Sequence, residues 1–193
     1  MLTGYDETGA TAAWQEVDEY GHLNFWASRY DSDWGNAEPI EADSGLPPDA
    51  ELAMDPGGNA MVLWVHWDAI TSDQNIMAKR YSDLGGWQPS EVIDEGYGTA
   101  SAPHVAMDPD GNAMAVWVQQ TETLPYTNDI WSSHYDAAAR RWAEPELVET
   151  LDGVPFAPRV TMDAEGNAIA VWRQRHDTSE HYDIWANRWA PDP

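Results

Sequence analysis

The stretch that decides the fold is Met107-Asp108-Pro109-Asp110-Gly111-Asn112-Ala113, because the 193-residue chain repeats it. It returns as Met54-Asp55-Pro56-Gly57-Gly58-Asn59-Ala60 and as Met162-Asp163-Ala164-Glu165-Gly166-Asn167-Ala168, and a degenerate copy is Tyr5-Asp6-Glu7-Thr8-Gly9-Ala10. The leading aspartates, Asp6, Asp55, Asp108 and Asp163, recur about every fifty residues, a period typical of repeat architectures. A tryptophan follows each copy, at Trp14, Trp64, Trp117 and Trp172. We therefore divide the chain into repeats at approximately 1–46, 47–99, 100–154 and 155–193.

Each repeat resolves into short segments with the composition of β-strands. In the third repeat they are 103–108, 112–119, 129–135 and 142–149, all rich in β-branched and aromatic residues. The Asp-Pro-Asp-Gly link has proline and glycine where a tight hairpin turn needs them. Four antiparallel strands in about fifty residues indicate one blade of a β-propeller. The sequence thus predicts an all-β propeller of four blades in a single domain, with the outer strand missing from the last.

The recurring side chains are predicted to have structural roles. We expect the tryptophans to fill the wedges between blades, and the aspartates to accept backbone N–H groups in the turns. Arg29, Arg80 and Arg188 recur at one place in the third strand, where the remaining repeat has His134. Such regular recurrence favours packing over catalysis, by stacking on a neighbouring tryptophan or by pairing with an acid.

Composition narrows the classes of function. The chain has 34 Asp and Glu against 9 Lys and Arg, a formal net charge of −25, which disfavours nucleic acid and anionic membranes as partners. The absence of cysteine excludes disulfides and thiolate chemistry. No apolar run approaches the roughly 20 residues of a membrane span, and the N-terminus lacks the pattern of a signal peptide. We expect an extracellular, periplasmic or cell-surface protein whose export signal is absent from this chain.

The order of these motifs resembles a known family. Gly-Asn-Ala, then Val-Trp, Asp-Ile-Trp and a closing Trp-x-x-Pro are similar to the repeat of sialidase-like bacterial propellers that carry Asp-boxes. Ser82-Asp83-Leu84-Gly85-Gly86-Trp87 is a shortened version of that box. The resemblance implies a propeller fold. For an enzyme it also implies an arginine cluster, a Tyr–Glu nucleophile pair and an acidic general acid. The recurring Arg29, Arg80 and Arg188 are assigned to packing, and no acid pair stands out, so no catalytic residue is predicted.

The loops between the second and third strands are the candidate binding region. They vary most between repeats, and repeat scaffolds bind through such loops. Aromatic rings with polar neighbours suit the faces and hydroxyls of sugars. The candidate ligand-binding residues are Tyr20, His22, Trp67, Tyr126, His176, His181 and Tyr182. The prediction is a non-catalytic module that binds carbohydrate or another extracellular partner.

Other interpretations stay open. The chain could be a fragment of a sialidase or glycosidase-type enzyme, or a structural, self-assembling or engineered repeat protein. No cofactor is predicted; calcium is an alternative because Asp108, Asp110 and Asn112 offer oxygen atoms at alternate positions. An unclosed array of blades would expose apolar faces. We therefore expect a homodimer that closes the ring, with closure inside one chain or by missing residues as alternatives.

Overall fold

The computed structural model describes residues 2–5, 9–21, 23–41, 49–68, 70, 72–94, 98–120, 127–149, 153–175 and 181–191. Within them the chain forms four antiparallel sheets, each made of consecutive strands. Sheet I contains β1 (Leu2–Tyr5), β2 (Ala10–Val17), β3 (Leu23–Tyr30) and β4 (Glu38–Glu41). Sheet II contains β5 (Ala50–Met54), β6 (Ala60–Trp67), β7 (Gln74–Ser82), β8 (Gly86–Trp87) and β9 (Glu91–Val92). Sheet III contains β10 (Ala100–Met107), β11 (Ala113–Gln120), β12 (Asn128–Asp136), β13 (Arg141–Trp142) and β14 (Glu146–Leu147). Sheet IV contains β15 (Val154–Met162), β16 (Ala168–Arg175) and β17 (Tyr182–Trp189).

The all-β prediction is confirmed. The first strand of each sheet lies at one edge, and β1, β5, β10 and β15 pack against one another in that order. These inner strands form the hub of the molecule, and the later strands extend outward from it. Among the described residues no helix is long and apolar enough to cross a membrane.

The outer strands of sheets II and III are interrupted, which the sequence did not predict. Instead of one strand over 142–149, the short strands β13 and β14 both pair with β12. In sheet II, β8 and β9 pair with β7 in the same way. Pro145 and Pro89 lie in the gaps, and proline has no N–H to give to the ladder. In each of these two sheets the outermost segment therefore pairs with the third strand as two short strands.

The core lies between successive sheets. Strand β6 shows this best, because both of its faces are buried. Met61 and Leu63 pack against sheet III, whereas Val62 and Trp64 pack against sheet I. Trp117 and Trp172 are likewise buried between sheets, while Trp14 is only half-buried. The tryptophans of the last three repeats thus fill the space against the preceding sheet.

A cationic or imidazole side chain of one sheet lies on an aromatic ring of the next at every junction. The guanidinium carbon of Arg29 is 4.8 Å from the ring centre of Tyr81, that of Arg80 is 5.7 Å from Tyr135, and His134 stacks on Trp189 at 4.5 Å. The expected stacking therefore occurs, but the arginines lie on tyrosine rather than on tryptophan. In each case the aromatic residue directly follows, in the next repeat, the position that is equivalent to the arginine or histidine.

The aspartates of the repeated turns accept hydrogen bonds from their own turn. Asp108 Oδ1 accepts the backbone N–H groups of Asp110 and Asn112, both at 2.9 Å, and Oδ2 accepts Asn112 Nδ2 at 2.7 Å. Gly166 of the next turn covers this carboxylate: a Cβ on that glycine would lie 3.4 Å from Asp108 Oδ2. Asp108 is consequently buried, whereas Asp163 in sheet IV makes equivalent bonds and stays exposed.

Candidate functional site

Four of the seven predicted binding residues lie within the part of the chain that the structure describes. Tyr20, Trp67, His181 and Tyr182 are exposed, and they lie in or beside the loops that connect the second and third strands of their sheets. His22, Tyr126 and His176 lie outside the described residues, as does Asp6 among the repeat positions. The structure brings Tyr182 to an inner strand, because its ring meets Phe156 of β15 edge to face at 6.0 Å.

These loops share one end of the molecule with the beginnings of the inner strands. The antiparallel pairing of the first and second strands determines this arrangement. Ala100, the first residue of β10, is opposite Gln119 near the end of β11, and Val154 is opposite Arg175 at the end of β16. A loop that follows the second strand therefore emerges where the inner strand begins. The strand ends from which the variable loops emerge thus lie at this end of the hub.

A cavity of about 300 Å³ opens at this end of the hub. We call it the hub opening, and it is lined by Asp49, Ala50, Glu51, Ala102, Pro103, Ala157 and Arg159. The lining comes from the first two residues of β5 and the residue before it, from the third and fourth residues of β10, and from the fourth and sixth residues of β15. Three sheets therefore contribute to one small, partly charged cavity.

The inner strands of sheets III and IV are bulged at the hub opening. The register shifts between Ser101 and His104 in β10, and between Phe156 and Arg159 in β15. Ala102 and Ala157 have φ angles of 50° and 47°, which cost a residue with a side chain roughly 1–2 kcal/mol. Bulges redirect side chains, and backbone strain of this kind concentrates at functional sites.

Charged and polar side chains occupy one register position across the hub. Glu51, His104 and Arg159 occupy equivalent positions, each directly before the Leu-Ala, Val-Ala or Val-Thr pair of its inner strand. Burial raises the pKa of the Glu51 carboxyl; Arg159 opposes that shift and Asp49 adds to it. The opening therefore combines a carboxyl held closer to its protonated form with a nearby guanidinium.

His104 is held in its neutral form. Burial, together with the charge of Arg159, lowers the pKa of the imidazole to about 4. Its Nδ1 accepts the backbone N–H of Val160 at 3.2 Å, which places the proton on Nε2. His104 thus ties sheet III to sheet IV directly beside the opening. The site can donate and accept hydrogen bonds and can pair with one anionic group.

The described residues contain no cluster of potential metal ligands. No group of three or more His, Cys, Asp or Glu side chains there is arranged to hold an ion. In the turn considered for calcium, both oxygens of Asp108 already accept hydrogen bonds from the turn.

The structure is similar to enzymes whose names refer to carbohydrate substrates. An endo-arabinase from Bacteroides thetaiotaomicron matches with a TM-score of 0.53 and 16% identity, over 98% of this chain and 74% of that one. The polysaccharide lyase Uly1 matches with a TM-score of 0.67 and 8% identity, over 97% of this chain and 51% of that one. An intramolecular trans-sialidase from Ruminococcus gnavus matches with a TM-score of 0.51 and 14% identity, over 93% and 40%.

These similarities support a propeller-type fold and, at such identities, show the fold alone. The chain spans about half the length of the lyase. No protein-family model matches the sequence, and neither does any curated protein. The Asp-box assignment accordingly stays a prediction.

Sequence reasoning missed the hub opening. It favoured the variable loops and treated the inner strands as scaffold. A signal was nevertheless present: Ala102-Pro103-His104-Val105 and Ala157-Pro158-Arg159-Val160 repeat except at the residue after proline, which is charged or polar and differs each time. Comparison of this one position across the repeats would have singled out His104 and Arg159.

Proposed function

We propose that this chain is a carbohydrate-binding protein of the propeller type, and that a neutral sugar binds in the hub opening. The observation that carries the proposal is the convergence of Asp49, Glu51 and Arg159 from two sheets onto one cavity beside two strained bulges. Carboxyl oxygens and guanidinium N–H groups are suitable partners for sugar hydroxyls. The net charge of −25 disfavours a polyanionic ligand.

The variable loops complete the proposed site. Exposed Tyr20, Trp67 and Tyr182 stand at the same end as the opening, and aromatic faces can stack on further sugar rings. Two further statements belong to the same proposal. Each repeat forms one propeller blade, and the protein acts outside the cytoplasm or at the cell surface.

Hydrolysis or elimination at the same opening is a second candidate function. The raised pKa of Glu51, next to a second carboxyl group in Asp49, is the observation that favours it, because glycosidases combine a protonated and an ionised carboxyl group. The named activities of the structural neighbours agree with this candidate.

The test is a glycan-array screen, followed by calorimetric titration of the best oligosaccharide. Arg159→Met and Glu51→Gln are expected to weaken binding at least about tenfold, the effect of losing one hydrogen bond to a charged group. The matched controls, Arg141→Met and Glu146→Gln, make the same changes at exposed outer-strand positions and should bind like the parent.

Three outcomes separate the candidates. Weaker binding by the hub variants alone supports the proposal. New reducing ends or an unsaturated product, formed by the parent and lost in Glu51→Gln, would favour the enzyme. Equal binding by hub and control variants would refute the hub opening as the site.

A further inference from the structure

Sheet IV presents an apolar face that is buried in the equivalent sheets. Ile184 is 72% exposed, whereas Ile76 and Ile130, at the same register position of sheets II and III, are fully buried. Ile169 and Val171 on β16 are exposed by 47% and 39%. Burial on this strand alternates strictly, so one face is covered by sheet III and the other is open.

The open face also carries the groups that join one sheet to the next. Arg188 stands at the repeat position of Arg29 and Arg80, and its side chain is exposed. Asp163 stands where Asp55 and Asp108 lie buried under the following turn. Sheet IV is thus equipped for a junction of the kind seen three times within the chain.

Sheet I presents the complementary half of such a junction. Its open face carries Trp14 and Trp26, which pair across β2 and β3 and are half-buried. Tyr30 holds the position of Tyr81, the ring that lies under an arginine of the preceding sheet. Tyr30 is 40% exposed and packs against Trp34 of its own sheet at 5.5 Å.

We propose that sheet IV of one copy docks on sheet I of a second copy, and that two such junctions close a head-to-tail dimer. In each junction Arg188 lies over the ring of Tyr30 of the other copy, while Ile169, Val171 and Ile184 pack against its β2 and β3. The proposed contact continues an existing series, because the same strand faces, with the same cation-on-ring pairing, form the junctions between sheets I and II and between sheets II and III. Contacts between two different faces close into a ring when the rotation permits it.

Docking brings together two copies that each carry a formal charge of −25; because salt screens their repulsion, docking should strengthen as salt is added. The experiment is light scattering of the purified chain in 0.5 M NaCl, where the screening length is about 4 Å. The expected mass is twice the 21.6 kDa of one chain. Ile184→Glu should reduce it to the mass of one chain, and the control Leu84→Glu, at a fully exposed turn residue, should leave it unchanged.

Cysteine pairing provides a second measurement that does not depend on a disruptive charge. The chain has no cysteine, so Arg188→Cys and Tyr30→Cys each introduce a single thiol. A pair joined by a flexible bismaleimide cross-linker should form when the two variants are mixed and should be scarce in either one alone. A single-chain mass at all concentrations, an assembly that Ile184→Glu leaves intact, or no preference for the mixed pair would overturn the proposal.

Discussion

Replacing Trp117 with alanine is expected to lower the free energy of unfolding by about 3–5 kcal/mol. The indole is fully buried between sheets II and III, and its Nε1 donates to Gln119 Oε1 at 2.9 Å. The substitution leaves a large cavity and removes the indole hydrogen bond to Gln119. In a chain of this length the loss corresponds to a fall in Tm of roughly 10 °C, which calorimetry or a urea titration would measure.

Trp14 provides the matched control for this prediction. It stands at the same repeat position on the open face of sheet I, where it is only half-buried. Trp14→Ala should therefore destabilise the isolated chain clearly less than Trp117→Ala. Equal losses for the two variants would show that burial between sheets is not what makes the tryptophans important.

Replacing Asp108 with alanine is expected to lower the free energy of unfolding by about 2–4 kcal/mol, because it removes several hydrogen bonds from a buried turn. The backbone N–H of Asn112 would lose its acceptor at 2.9 Å, beneath the turn that contains Gly166. The turn of sheet III would then lose its fixed shape at the junction with sheet IV. Chemical denaturation measures this loss directly.

Asp163→Ala makes the same chemical change in a turn that no other sheet of the described residues covers. Asp163 accepts Asn167 N at 2.8 Å, but it is exposed, so water can replace the lost acceptor. For the single, undocked chain we expect a much smaller loss than for Asp108→Ala. A loss as large as that of Asp108→Ala would mean that local turn geometry, and not burial by the next sheet, determines the effect.

The repeat made the sheets predictable, because each level of the sequence agreed with the others. The turn residues around Asp108 predicted a hairpin, and the composition of the flanking segments predicted the strands that pair in the sheet. The split outer strands were less predictable, since a proline excludes one ladder hydrogen bond without specifying where pairing resumes. The cation-on-ring junctions were expected, but the choice of tyrosine over tryptophan depends on register between sheets, which no single repeat encodes.

The candidate site was less accessible to sequence reasoning than the fold. Residues such as Glu51 and Arg159 are far apart in the chain and meet only because the inner strands converge at the hub. The bulges at Ala102 and Ala157 also depend on this convergence, as alanine carries no local signal for a positive φ. The variable loops, in contrast, could be found from length differences alone.

The most direct measurement is a crystal structure of the chain with the oligosaccharide that binds it best. We predict density for a sugar in the hub opening, with hydroxyl groups within hydrogen-bond distance of Glu51 and Arg159. Density for the sugar only on the outer strands or on the open face of sheet IV, with the opening filled by water, would contradict it.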